Sequence, residues 1–463
     1  MSDKLQAFTL PPLRSLIETA KLGSPLDEYV NVLPAGTAGS LQLLAAQQLI
    51  IIYALGFTKK GSVLRQGLFL PMLLTCLLGL NIYRQHPITS SAVYMIAVPL
   101  GAASQIFQYI SLVLIKGWNF EDREKIFPSA NPSQNSSSWF ARAKFGLFAA
   151  YSFRHCGSPY EVGGVAQFKD NKIPTRMQFL KQTGSIVAIM FLIMDLVAYL
   201  SGTDENPAFA QSRVPFFSRL NEVTFAEVVE RMVVVTLLFA SNIAMLTIFI
   251  GATSLVSVAS GLSDPIRWKP IFNYDHGFPY SVRRFWSHFW HVSMKDRIYT
   301  PSKYVADDVL GLPKGSLTRR YALIVLTFVA SGLFHVIGEV GAGADFWEDG
   351  SFIFYVAQAF AIMAEDFVCH LYKQVTGNEN SGKKKAALTW ELWVGRVWLF
   401  LWLTWITPSW FYPMNRLTSG IPVFPIPSPA KAIFSLFATG GSPMSDSMAS
   451  SMAMSNSTVY MTM

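Results

Sequence analysis

His335 sits inside an apolar run from Tyr321 to Val340, in the stretch Ser331-Gly332-Leu333-Phe334-His335. An ionisable ring at membrane depth is costly to keep, which makes it a functional candidate by default. A neutral imidazole is the usual general base near neutral pH and suits removal of a hydroxyl proton. Fourteen residues into its run, the ring lies about 21 Å along a helix axis, so a substrate reaches it through a cavity or from the bilayer. Ala330, Ser331 and Gly332 would leave room beside it. The plainer reading is a histidine hydrogen-bonded between helices. Some forty residues earlier comes the cluster Arg283-Arg284-Phe285-Trp286-Ser287-His288-Phe289-Trp290-His291. Its histidines could form a second half of a site, with Arg283 and Arg284 holding phosphates or lipid headgroups. Aromatic and arginine residues at a membrane boundary are also common anchors. Gln358 and Glu365, seven residues apart, share a helical face, with Asp366 and His370 nearby; Glu339 lies one turn beyond His335, and Asp195 is embedded in another apolar run. Acids at this depth need partners, for chemistry, for proton coupling or for helix packing alone.

The elements that must position these groups are membrane helices. The chain is 51% hydrophobic and only 14% charged, against about 25% charged for soluble domains. Eight apolar runs reach the roughly 17 residues needed to cross a bilayer: about 41–57, 66–83, 90–115, 183–201, 232–260, 321–340, 351–372 and 396–412. The expected fold is all-α and polytopic, with about eight transmembrane helices around a buried catalytic cavity. The fifth run is the weak point, since it could be one tilted helix or two pieces broken near Gly251. Loops 116–182 and 263–320 each carry ten Lys or Arg against five Asp or Glu, which places them in the cytosol. Both termini then face the lumen. In the second loop Val282, Phe285, Phe289 and Val292 recur at helical spacing, with Arg283, Arg284 and Lys295 beside them, and predict a helix on the membrane surface.

The net charge of +8 is spread over several loops and forms no stripe that would suit nucleic acid. Cys76, Cys156 and Cys369 make neither a disulfide framework nor a metal motif, and no internal repeat supports a repeat-built transporter. The first 40 residues do not read as a cleavable leader. The organisation is thus a polar segment at 1–40, membrane helices with a cytosolic loop at 41–264, a candidate catalytic region at 265–415, and a Pro-rich then Ser/Met-rich tail at 416–463. Asn456 is expected to be glycosylated in the lumen, and Asn135 to stay unmodified in the cytosol.

Four features in order resemble the membrane-bound O-acyltransferase superfamily, in its wax-synthase-like branch. They are Trp268-Lys269-Pro270-Ile271-Phe272 followed by Ser281 through His291; Ser331 through His335; Gln358 through Glu365-Asp366; and the Trp/Pro-rich span ending Pro408-Ser409-Trp410-Phe411-Tyr412-Pro413. The family pattern has Phe-Trp-Gly, two polar residues and Trp-His. Here Ser287 replaces the glycine, while Trp290-His291 is retained. Lys116-Gly117-Trp118-Asn119 faintly resembles a further glycine-tryptophan patch. The resemblance implies acyl-CoA-dependent transfer to a lipophilic alcohol, with acyl-CoA a co-substrate rather than a bound cofactor and no metal. His335 would take the hydroxyl proton and His291 orient or polarise the thioester, or the two would exchange roles. Arg283, Arg284, Trp286, Trp290, Gln358, Glu365 and Asp366 would line the substrate and CoA sites. Length and tail resemble fungal enzymes that acetylate terpenoid or meroterpenoid hydroxyls from acetyl-CoA, which places the protein in the endoplasmic reticulum membrane among its lipids. A long-chain wax or sterol ester synthase and a proton-coupled transporter are the alternatives.

Overall fold

The computed structural model describes residues 36–128, 137–202, 206–274, 277–376 and 389–439, which form helices and irregular connections without a strand. Eleven helices carry the argument. They are α1 Gly36–Phe57, α2 Phe69–Gln85, α3 Ala92–Gln108 running on into a π-helical turn Tyr109–Ile115, α4 Trp139–Tyr151, α5 Arg176–Ser201 and α6 Phe225–Ala259. After them come α7 Lys295–Tyr304, α8 Leu317–Ala342, α9 Ser351–Val375, α10 Thr389–Thr418 and α11 Pro429–Thr439. Their starts are written in polar residues just ahead of apolar runs. Ser91, Thr224 and Ser316 each accept a hydrogen bond from the first turn, and Thr175 with Gln178 forms a reciprocal capping box on α5.

Seven helices among the described residues are long and apolar enough to cross a membrane, one fewer than the eight expected. The eighth run lies in α10, a continuous helix of 30 residues. Its tryptophans, threonines and prolines lower its hydropathy, because they serve contacts with other helices. The fifth run does not break. α6 is continuous over 35 residues, about 52 Å at 1.5 Å per residue, and Gly251 serves packing instead. A Cβ there would meet Val187 Cγ2 of α5 at 2.5 Å.

Two apolar cores build the interior. One joins α1, α2 and the end of α3 around Ile51, Leu55, Met72 and Tyr109. The other gathers α6, α8, α9 and α10 around Phe354, Ile362, Leu399 and the 282–290 turn. Phe107 of α3 meets Phe334 of α8 edge-on at 6.3 Å, in a third cluster between them. The surface helix expected over 282–292 is absent. Val282–Arg284 makes one α turn, Phe285–Phe289 one π turn, and Trp290 is extended. Val282, Phe285 and Val292 are all buried, so the apolar spacing recorded contact with the protein core rather than with lipid.

The two long loops pack on each other. Arg154 donates to the carbonyl oxygens of Lys269 and Pro270, Lys269 pairs with Glu161 at 2.8 Å, and Lys295 donates to Gly163 O. The tail expected from 416 is structured as far as 439. Its backbone binds the start of α3 through Pro422 and Val423, and α11 lies on α5 with Asp195 Oδ2 accepting from Ala430 N at 2.7 Å. Asn135, Asn456 and residues 1–35 lie outside the described residues.

Candidate active site

His335 is carried by α8 with Glu339 one turn on, and their side chains meet at 3.0 Å, Nδ1 to Oε1. Trp410 of α10 donates its Nε1–H to the same Glu339 oxygen at 2.8 Å. The ring stacks on Tyr355 of α9, with centroids 4.3 Å apart and planes 19° apart, and meets Trp410 edge-on at 5.5 Å. Three helices therefore fix one imidazole, whose side chain is only 15% exposed. The small-residue patch before it does not leave space for a substrate. A Cβ on Gly332 would meet Phe352 Cα of α9 at 3.2 Å, so the glycine admits a neighbouring backbone.

The 281–291 turn is held against α9 by that helix's polar face. Ser281 caps the turn through Arg284 N. Glu365 accepts from the backbone N–H groups of Val282 and Arg283 at 2.6 and 3.3 Å, and from Trp398 Nε1 at 3.0 Å. Asp366 pairs with Arg283 at 2.5 Å and Arg320 at 2.8 Å. Two helical turns before Glu365, Gln358 Oε1 accepts from Trp286 Nε1 at 3.2 Å and Trp402 Nε1 at 3.0 Å, while its amide donates to Phe354 O. The seven-residue spacing from Gln358 to Glu365 thus docks the turn at two points. Arg284 donates to its neighbour Tyr280 and lies over that ring. Trp290 is buried against Phe239, Phe272 and Phe285.

That docking delivers His291. Its Nδ1 is sealed from solvent without a hydrogen-bond partner. Burial, aided by the nearby Arg154 cation, pulls its pKa down to about 4, so the ring is neutral at physiological pH. It lies close enough to His335 for the two to interact electrostatically. His288 differs: its side chain is exposed and its Nδ1 is 2.5 Å from Ser287 Oγ. A shallow surface dimple opens beside Arg284 and His288, and neither His335 nor His291 lines it.

A second polar cluster lies where the two loops meet. Asp296 of α7 accepts from Ser111, Lys116 and Thr300 and sits 3.1 Å from His155 Nε2. Burial opposes its ionisation, but the hydrogen bond with His155 and the Lys116 charge hold it well below the usual carboxylate range. Burial also lowers the His155 pKa, against the pull of Asp296. No spacing in the sequence announced this pair, because 141 residues separate its members. Tyr355, Trp398 and Trp402 were missed as well. Tyr355 precedes Gln358 by three residues and so falls on a face already marked, whereas Trp398 and Trp402, four apart, share a face that carried no other signal. Among the described residues no cluster of three or more His, Cys, Asp or Glu is placed to hold a metal.

Residues 268–357, which include the docked turn and both histidines, match the membrane bound O-acyl transferase family. The protein is a membrane-bound acyltransferase. Its similarity to characterised proteins extends well beyond the matched region. It is 28% identical to the acetyltransferase fsoF of Humicola fuscoatra over 83% of this chain and 98% of that protein. It is 27% identical to the acetyltransferase aurG of Calcarisporium arbuscula over 79% of this chain and 90% of the other. With the acetyltransferase spyB of Aspergillus fumigatus it shares 26% over 81% of this chain and 64% of that one. No solved structure matches the acyltransferase. Such an enzyme needs an acyl donor and an acceptor, and its seven apolar helices make it an integral, multi-pass membrane protein.

Proposed function

We propose that the acyltransferase moves acetyl from acetyl-CoA to a hydroxyl of a lipophilic terpenoid or meroterpenoid alcohol, with His335 as general base. The observation that carries the reading is the His335–Glu339–Trp410 arrangement. Glu339 Oε1 already accepts from Trp410, so it acts as an acceptor toward His335 Nδ1–H as well. That tautomer leaves the Nε2 lone pair for the substrate hydroxyl. The hydroxyl proton passes to Nε2 as the oxygen attacks the thioester carbonyl. The C–S bond then breaks, and the imidazolium returns the proton to the departing CoA sulfur. Atoms and charge balance without a covalent acyl-enzyme. His291, neutral and held beside this centre, orients the thioester. In this reading Glu365 and Asp366 position the turn rather than touch CoA, since their oxygens are engaged by Val282, Arg283, Trp398 and Arg320. The closed aromatic shell limits water, which would otherwise hydrolyse the thioester.

Acetyl as the donor is supported by the acetyltransferase relatives, and an acceptor met within the membrane by the apolar helices around the site; a terpenoid-like alcohol and the endoplasmic reticulum extend that reading. The test uses microsomes containing the protein with radiolabelled acetyl-CoA and a panel of terpenoid alcohols and sterols. Label is expected in an organic-soluble ester with the wild type and not with His335→Ala. Ester from palmitoyl-CoA but not acetyl-CoA would move the reading to wax or sterol ester synthesis. Silence with both donors would overturn it.

A further inference from the structure

A cleft of about 190 Å³ lies between the start of α6, the middle of α10 and the 206–224 connection, apart from the histidine centre. Phe216, Phe217, Met232 and Leu401 give it apolar walls, and at that size it takes one end of a lipophilic molecule rather than the whole of it. Two polar groups interrupt those walls. Arg231 is 1% exposed and Thr404 6%. Glu227 and the carbonyl of Arg213 occupy part of the guanidinium, and Phe216 lies over it. Its Nη1 and the Thr404 hydroxyl remain sealed from solvent with no hydrogen-bond partner. A buried polar atom left so costs about 1–3 kcal/mol. Both residues border the cleft, and a side-chain shift that opened them to it would suit an apolar molecule with an oxygen at one end, which would accept from Nη1 and pair with the hydroxyl.

α10 connects this cleft to the reaction centre. Trp405, which lines it, meets Trp402 at 5.0 Å, and Trp402 donates to Gln358 beside Trp286. Six residues on from Thr404, or about 9 Å along the axis, Trp410 holds Glu339. Phe217 of the 206–224 connection closes on Trp405 at 5.3 Å. We propose that this cleft takes up the lipophilic alcohol by its oxygen-bearing end, between Arg231 and Thr404, before its hydroxyl reaches His335. The proposal rests on the acyltransfer reading for what the alcohol does next, but not for whether it binds.

The first measurement is steady-state kinetics with whichever panel alcohol the wild type acetylates fastest. Thr404→Val, which removes one hydrogen bond, is expected to raise the KM for the alcohol roughly 3- to 10-fold. Val228→Trp, which fills the cleft from α6, should raise it further, and the KM for acetyl-CoA should hold in both. Unchanged alcohol KM in both variants, or equal rises for both substrates, would overturn the proposal. The second measurement needs no turnover. In a Cys369→Ser background, which removes the exposed native thiol, Met232→Cys is alkylated with N-ethylmaleimide in the full-length protein with and without each panel alcohol. Slower alkylation with an alcohol supports the site. Equal rates with every alcohol, as when membrane lipid fills the cleft, overturn it. Protection without any ester formation would keep the cleft and reject the acyltransfer reading.

Discussion

Replacing Glu339 tests how much of the chemistry belongs to the orientation of one ring. Glu339→Gln keeps an oxygen for Trp410 and His335, whereas Glu339→Ala leaves both donors unpaired in the interior. General base catalysis contributes about 10² to 10⁴ in rate. His335→Ala should lose all of it, Glu339→Ala most and Glu339→Gln the least, in kcat with labelled acetyl-CoA and at matched protein levels. Equal kcat for wild type and Glu339→Ala would remove the acid from the mechanism. His291 gives a pH signature. Its folded pKa of about 4 lies below the unfolded value of about 6.5, so between these values the unfolded chain binds more protons than the folded one. Stability therefore falls as pH drops from about 6.5 towards 4 and is unaffected by this group above 6.5. Thermal melts in nanodiscs should show a shallower fall over that window for His291→Asn. An unchanged slope would mean the ring is solvated. Both histidines were visible in the sequence as ionisable rings in apolar surroundings, and Glu339 was visible one turn from His335 on the same helix. Trp410 and Tyr355 as their partners were not, because stacking and cross-helix bonds depend on tertiary distance and leave no periodic mark.

At the scale of elements, glycines set how closely α10 can pack. A Cβ on Gly350 would fall 2.0 Å from Ser409 O, and one on Gly395 2.1 Å from Tyr280 O. Neither contact can be relieved by a side-chain turn, since the opposing atoms are backbone. Gly350→Ala should displace α10 next to Trp410 and cost about 1–3 kcal/mol by overpacking. The expected result is a lower melting temperature with a larger fractional loss of kcat, because Glu339 loses its indole donor. Full activity in a destabilised variant would separate packing from chemistry. The clamp on the turn is tested by a double-mutant cycle on Arg283→Ala and Asp366→Ala. Partly exposed pairs of this kind couple by up to about 1 kcal/mol, so the double variant should be little worse than either single one. Strict additivity would show the pair to be incidental. The misread helix over 282–292 belongs here too. Apolar spacing alone cannot tell a helix lying on lipid from a π turn buried among tryptophans, and the residues that decide it, Gln358 and Glu365, lie more than 60 positions away.

For the whole molecule, hydropathy was the most legible feature, since burying backbone in hydrocarbon demands long helices and seven of the expected runs appear as such. The meeting of the two loops through His155 and Asp296 was illegible for the opposite reason, being a polar contact between an irregular segment and the first turn of a short, polar helix. Alternation of basic loops predicts that a tag inserted near Lys60 faces the cytosol and is cut by protease added to sealed microsomes, and that Asn456 carries glycan. A mobility shift on deglycosylation, lost in Asn456→Gln, would support that orientation, and protection of the tag at Lys60 would invert it. One contact also bears on how the chain is finished. Asp195 is the sole acid of α5, and its carboxylate is held by the N-terminal turn of α11. Without α11 docked, the Asp195 side chain lacks this backbone donor among apolar helices, and a buried polar group left without its hydrogen bond costs about 1–3 kcal/mol. A variant cut before Pro429 is therefore expected to lose that donor and melt at a lower temperature than the wild type, as Asp195→Leu in the cut variant would check by restoring the melting temperature.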